Sequence, residues 1–256
     1  MKLLLDIGNT HTHVGLATPG RIQKRAQLPT SDWRNPRARK WLRQFLGKTK
    51  ATGALLCSVV PTATRQAKKI LREMKITSHE FTHRNCGIEV DYPKPASIGA
   101  DRLANARAGI EAFGAPVVIV DFGTAVTFDI VNRQGQYAGG IIAPGLSAMT
   151  DYLHKKTALL PRIELREVRS AIGKSTEEAM LIGAVHGYRG LVQSLISKVK
   201  KTQGARKMPV VATGGFAKLI ARKVPEITAV RPLLTLEGLR LASRDVIEKL
   251  PADESH

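Results

Sequence analysis

The 256-residue chain has little cysteine: Cys57 and Cys86 are its only two, far apart and in neither a CxxC nor a histidine-linked spacing. That pattern excludes a cysteine-built metal site and leaves both as ordinary thiols. Long apolar runs are missing as well. The opening Met1-Lys2-Leu3-Leu4-Leu5 meets Asp6 at once, so neither a signal peptide nor a membrane span is expected, and the chain reads as cytoplasmic. Acidic residues are scarce, 21 Asp and Glu against 40 Lys and Arg, so the net charge is +19 and anionic partners are favoured. Ten of the basic residues lie between Arg21 and Lys50, where Asp32 is the only acid. A nucleic-acid face would want stacking aromatics interleaved with that charge in a recognisable DNA-binding pattern, and the run shows no such pattern. A solvated basic helix around a seam of Trp41, Leu42, Phe45 and Leu46 accounts for it equally well, so nucleic acid is not expected as the main partner.

What is present is an alternation of short apolar runs, turn signals and helical patterns, the mark of an α/β protein long enough for two cores of about 120 residues each. Leu3-Leu4-Leu5-Asp6-Ile7-Gly8-Asn9-Thr10 is a buried strand ending in a polar turn, followed by antiparallel strands over 12–16 and 21–27. The pattern recurs at Val117-Val118-Ile119-Val120-Asp121-Phe122-Gly123-Thr124, with strands over 126–131 and 136–142. Such a repeat predicts two ribonuclease-H-like lobes, 1–114 and 115–256. Helices are expected over 33–46, 62–74, 100–113, 146–159, 176–201 and 236–250, and further strands over 54–60, 76–81, 209–213 and 227–230. Only the tail from Pro251 reads as disordered.

Both repeats put a glycine and a hydroxyl or amide residue directly after an aspartate-bearing strand. A glycine there lets the backbone approach a ligand, and the N–H groups of a tight turn can donate to phosphate oxygens. Asp6 and Asp121 cannot touch phosphate without repulsion, so a cation must lie between, which predicts magnesium. A structural glycine turn explains one such segment; two, half a chain apart, are harder to dismiss. Ala212-Thr213-Gly214-Gly215-Phe216-Ala217 also follows a strand and opens a helix, a place where a nucleotide could lie.

Between the repeats runs Asp91-Tyr92-Pro93-Lys94-Pro95-Ala96-Ser97-Ile98-Gly99-Ala100-Asp101-Arg102. The prolines hold the approach extended and Gly99 frees the entry to a helix whose first turn carries Asp101 and Arg102. A carboxylate to accept a hydroxyl proton and a guanidinium to bind an acid would suit a hydroxy-acid substrate. Helix capping by Asp101 beside a surface Arg102 is the plainer alternative.

The order Asp-Ile-Gly-Asn-Thr at 6–10, Gly-Ala-Asp-Arg at 99–102, Asp-Phe-Gly-Thr at 121–124, Gly-Gly-Ile-Ile-Ala-Pro-Gly at 139–145 and Ile-Gly-Lys-Ser-Thr at 172–176 resembles the type III pantothenate kinases, over about residues 2–245. The resemblance implies an actin-like ATPase fold with an ATP cleft between its two lobes. It also implies ATP-dependent phosphorylation of pantothenate, the first step toward coenzyme A. By the same resemblance Asp101 is the catalytic base. ATP would be bound by Asp6, Ile7, Gly8, Asn9, Thr10, His11, Thr12, His13 and Thr124, with Asp6 near magnesium. Tyr92, Gly99, Ala100, Asp101, Arg102 and Thr176 would contact pantothenate, and Asp121 would hold a monovalent cation, potassium or ammonium. Ser175-Thr176-Glu177-Glu178 also reads as a capped helix start, a role that can coexist with substrate contact. The resemblance further implies a homodimer, for which Met180, Leu181, Val185, Leu191 and Leu195 on the 176–201 helix offer apolar surface. An accessory factor for gene expression, binding nucleic acid through its basic surface, remains the second reading; intact Asp6, Asp101 and Asp121 count against it.

Overall fold

In the computed structural model, which describes residues 1–249, the first strand β1 (Lys2–Ile7) lies at the centre of a five-stranded sheet. A central strand covered on both faces reads as an unbroken apolar run, and Leu3, Leu4 and Leu5 are all fully buried. β2 (His11–Ala17) pairs antiparallel with β1 and β3 (Ile22–Pro29) with β2. On the other side β4 (Gly53–Ser58) and β5 (Ser78–Glu80) run parallel, giving the order β3-β2-β1-β4-β5. One face, with Leu3, Leu5, Ile7, Val14 and Leu56, packs on α1 (Arg37–Leu46) and α2 (Pro61–Glu73). The edge strand β3 alternates exposed Gln23, Lys24, Arg25 and Gln27 with few buried positions, which protects a free edge.

The repeat is physical. β6 (Val117–Phe122), β7 (Ala125–Val131), β8 (Tyr137–Pro144), β9 (Val210–Thr213) and β10 (Ala229–Val230) form a second sheet in the order β10-β9-β6-β7-β8. Its pairings reproduce the first: antiparallel hairpins on one side of the central strand, parallel neighbours on the other. Val118, Val120, Phe122 and Phe128 pack there with Val192 and Ile196 of α5 (Thr176–Thr202) and Ile220 of α6 (Ala217–Ala221). α4 (Leu146–Lys156) follows β8.

The chain divides into Met1–Ala112 together with the segment from Leu233, and Phe113–Pro232. The expected partition at 114 and 115 therefore differs at its C-terminal end. α7 (Leu234–Lys249) belongs to the first unit, its Leu236 lying against Gly15 of β2 and its Ile247 against Gly53 of β4. α3 (Ala100–Phe113) shares that face of the sheet, with Ala104 against Gly238 of α7. The tail from Pro251 and Leu250 lie outside the described residues.

In the basic segment the helix starts at Arg37 rather than 33, because Pro36 separates it from a short 3-10 turn over Thr30–Arg34. Leu42, Phe45 and Leu46 are buried while Arg37, Lys40 and Arg43 are exposed. The charge is thus the solvated side of a packed helix. Among the described residues no helix is long and apolar enough to cross a membrane.

Candidate active site

Strand pairing brings the first group together. Asp6 stands opposite His13 on β2 and Cys57 on β4, so the three share one face of the sheet at the carboxyl ends of the parallel strands. The Cys57 thiol donates to Asp6 Oδ1 at 3.9 Å, a weak contact. Burial pushes that thiol well above its ordinary range, and the nearby charges of Asp6 and Asp101 push the same way. Asp6 on the first strand and Asp101 on α3 therefore converge on one buried sulfur, although 95 residues separate them (101 − 6). The sequence reads Cys57 as an ordinary thiol, and its raised pKa keeps it protonated, but its position beside Asp6 is not part of that reading. The available signal was its place one strand over from Asp6 at the end of Ala54-Leu55-Leu56.

Asp101 occupies the first turn of α3. Its Oδ1 accepts the Arg102 backbone N–H at 2.9 Å and lies so close to Gly99 that a Cβ there would stand 2.5 Å from it. Burial raises the Asp101 carboxyl above the usual aspartate range, and the Arg102 N–H and guanidinium oppose the rise in part. The bond from the Arg102 N–H is itself a first-turn capping contact, while Arg102, which the capping alternative left on the surface, is half-buried like Asp101. Tyr92, 40% exposed, precedes Asp101, and the approach between them is not extended throughout but makes a 3-10 turn over Pro95–Ser97.

Alternation along β1 and β2 sorts the remaining phosphate-turn residues. Gly8 is pinned as its N–H donates to His11 carbonyl at 3.1 Å, while Asn9, Thr10, His11 and His13 face solvent. Ile7 and Thr12 point the other way and are fully buried. The Thr12 hydroxyl accepts from Trp33 Nε1 at 2.9 Å and pairs with the Thr30 hydroxyl at 3.1 Å, so this side chain serves the core and only its backbone is available at the turn. Although part of His13 reaches solvent, its ring is covered enough that desolvation first and the charge of His11 second hold it below the usual histidine range.

The second unit repeats the device. Asp121 stands opposite Thr127 on β7 and Thr213 on β9, and the Gly123 N–H donates to the Ala125 carbonyl at 3.1 Å. Gly214, at φ +89°, is the residue a side chain would block: a Cβ would meet Asp121 Oδ1 at 2.5 Å and the Phe122 backbone at 2.7 Å. Gly145, at the start of α4, donates its N–H to the Thr124 carbonyl at 3.1 Å, and its Cβ position lies 2.3 Å from that oxygen. Asp121, Thr124, the Gly-Gly segment at 214–215 and the end of the 139–145 motif are thus gathered on one rim of this sheet. Thr176 is the exposed first residue of α5; Ser175 caps that helix, accepting the Glu178 N–H at 3.2 Å, while Glu178 Oε2 accepts the Lys174 N–H at 2.7 Å.

Each of the two aspartate turns carries one carboxylate, a donor type that suits a hard cation. Magnesium is bound through one or two carboxylates plus substrate phosphates rather than by an all-protein cage. Among the described residues no group of three or more His, Cys, Asp or Glu is placed to hold a metal.

Comparison with known proteins identifies the family. The profile of the type III pantothenate kinases matches residues 2–198. A type III pantothenate kinase of Akkermansia muciniphila is 45% identical over 94% of this chain and 97% of its own length. Another, of Methylacidiphilum infernorum, is 42% identical over 98% of this chain and 91% of its own. Among solved structures, a putative 2-dehydro-3-deoxygalactonokinase of Sinorhizobium meliloti superposes with a TM-score of 0.62 at 13% identity over the whole of both chains, a likeness of fold alone. With its duplicated sheets, its paired aspartate turns and these relatives, the chain belongs to the type III pantothenate kinase family.

Proposed function

We propose that the chain transfers the γ-phosphoryl group of ATP to the primary hydroxyl of pantothenate, with Asp101 as the base that accepts the hydroxyl proton. What supports the assignment is that Asp6 at the end of β1 and Asp101 in the first turn of α3 both lie near enough to the buried Cys57 of β4 for their charges to push its thiol up. Phosphoryl transfer asks the protein mainly for positioning and charge stabilisation. The backbone of 8–13 holds phosphate oxygens; Asp6 would hold magnesium, which when bound neutralises triphosphate charge. Asp101 orients the hydroxyl and takes its proton as the bond to phosphorus forms. In the second unit Thr124 donates to phosphate, Thr176 contacts pantothenate, and Asp121, its carboxyl packed on Gly214, would hold a potassium or ammonium ion.

The deciding experiment is a coupled ADP-release assay with pantothenate, with and without magnesium and potassium. Turnover is expected to need both cations, and Asp121→Ala should lower potassium activation about tenfold or more while leaving the pantothenate KM nearly unchanged. Full turnover in sodium alone would remove the monovalent site.

Arg102 is assigned to the pantothenate carboxylate because its planar fork matches a carboxylate and a lysine only approximates it. Arg102→Lys should raise the pantothenate KM about tenfold, the value of roughly one lost charge-assisted hydrogen bond. A change confined to the ATP KM would move Arg102 to the phosphates.

The family's dimer is also proposed for this chain, through a different surface from the one expected. Met180, Leu181 and Val185 of α5 are spent on the unit's own core, and Leu191 and Leu195 pack against it. Ile142, Tyr152, Leu159 and Ile172 are instead 62–90% exposed, large apolar side chains that a partner copy could cover; a sedimenting monomer at assay concentration would refute this.

A further inference from the structure

The second unit carries a groove of about 660 Å³ whose lining includes none of Asp121, Thr124 or Gly214. One wall is a stripe of α5, His186, Arg189, Gly190 and Gln193, at spacings that keep them on one helix face. The segment 167–169 and the end of α6 supply the rest. Four cations, Arg169, Arg189, Arg222 and Lys223, line it against one carboxylate, Glu167, a balance of 4 − 1 = +3. Glu226 stands at the edge, accepting the Gln193 amide at 3.4 Å.

Arg189 is the informative residue. Only 4% exposed, it donates from Nη1 and Nη2 to the two oxygens of Glu167 at 3.0 and 2.8 Å, and from Nη2 to the Leu219 carbonyl at 2.7 Å. Those bonds take up the Glu167 carboxylate and fix the guanidinium, yet the buried Nε of Arg189 has no partner among the described residues. That atom is sealed from solvent and so from the groove; Arg189 offers a guanidinium pinned in place with its charge answered by Glu167, which leaves Arg169, Arg222 and Lys223 to supply the free positive charge. Above the helix at Gly190 the space is open, with nothing within 4 Å of a Cβ built there. The volume falls in the range of small-molecule sites, and cations gathered around one hollow suit a compact anion better than a strand, which needs them spread along its length.

We propose that this groove is a second, non-catalytic site for a small phosphorylated anion bearing at least two phosphate groups, held by Arg169, Arg222 and Lys223 over Gly190 and the fixed Arg189. The test titrates inorganic pyrophosphate calorimetrically into the whole chain as wild type, as Arg222→Ala with Lys223→Ala, and as Gly190→Glu. Both changes should raise the Kd of one pyrophosphate binding step at least tenfold while pantothenate turnover stays at the wild-type level. Gly190→Glu sets a carboxylate in the groove and replaces a mid-helix glycine by a better helix former, so it should melt no lower than wild type, which separates lost binding from lost fold. Unchanged pyrophosphate affinity in both variants overturns the proposal. Loss of turnover in step with binding also overturns it, by placing the pyrophosphate at the catalytic phosphates. So does a single-stranded oligonucleotide that binds through these residues where pyrophosphate does not.

Discussion

Asp101→Asn should lower kcat by about 100-fold or more while calorimetric ATP binding persists, because the change keeps the shape of the side chain and removes its basicity. The expectation rests on a carboxylate held in the first turn of α3, tied to the Arg102 N–H at 2.9 Å and packed on Gly99. Its raised pKa sets two pH signatures. In turnover, the acid limb of kcat/KM should lie above the ordinary aspartate range, because the base acts only when ionised. In stability, the folded state keeps the Asp101 proton to a higher pH than the unfolded chain, which releases it near about 3.9. Between those two values the native state binds more protons, so stability is greatest below the unfolded pKa and falls as pH rises through the folded one. At neutral pH the ionised, half-buried carboxylate is therefore a cost, and Asp101→Asn should melt at or slightly above the wild-type temperature. A folded variant with near-normal turnover excludes Asp101 as the base, and the exposed Asp91 becomes the candidate.

Much of this was legible from the chain because the signals are local. A proline-held approach, a glycine and an acid mark the start of α3, and the helix runs over the expected Ala100–Phe113. Two apolar runs ending in aspartate mark β1 and β6, since a central strand covered on both faces must be apolar throughout. What escaped was set by packing between segments distant in sequence. Ile7 and Thr12 belong to the phosphate turn by position, but the two-residue period of a strand turns their side chains into the core. Cys57 gains its setting only when β4 pairs with β1. Leu181 and Val185 looked spare on a helix of 27 residues because the 163–168 segment that covers them has no periodic pattern of its own. The return of α7 to the first unit is likewise invisible to any reading that cuts the chain once.

That return predicts the largest stability effect. Gly238 on α7 crosses α3 so closely that a Cβ would stand 2.0 Å from the Ala104 carbonyl oxygen, 2.6 Å from its carbon and 2.9 Å from its Cα. All three atoms are backbone, so no rotamer change relieves the clash and the two helices must separate. Separation would strain the neighbouring hydrogen bond from the Thr235 hydroxyl to Asn105 Oδ1, 2.8 Å long and buried, and loosen Leu236 and Ile247 from the sheet at Gly15 and Gly53. Alanine favours a helix over glycine by about 1 kcal/mol, too little to offset overpacking plus a broken buried hydrogen bond. Gly238→Ala should therefore destabilise by about 3 kcal/mol or more, a fall in Tm on the order of 10 °C for a chain of this size. Because α3 carries Asp101, turnover of the protein still folded should fall as well. Gly183→Ala and Gly187→Ala on α5 are the internal comparison: a Cβ there meets nothing within 4 Å, so propensity alone acts and the melt should stay or rise slightly. Thermal melting of the three variants side by side decides the matter. A Gly238→Ala protein that melts with the α5 variants would mean that α7 does not depend on this close crossing.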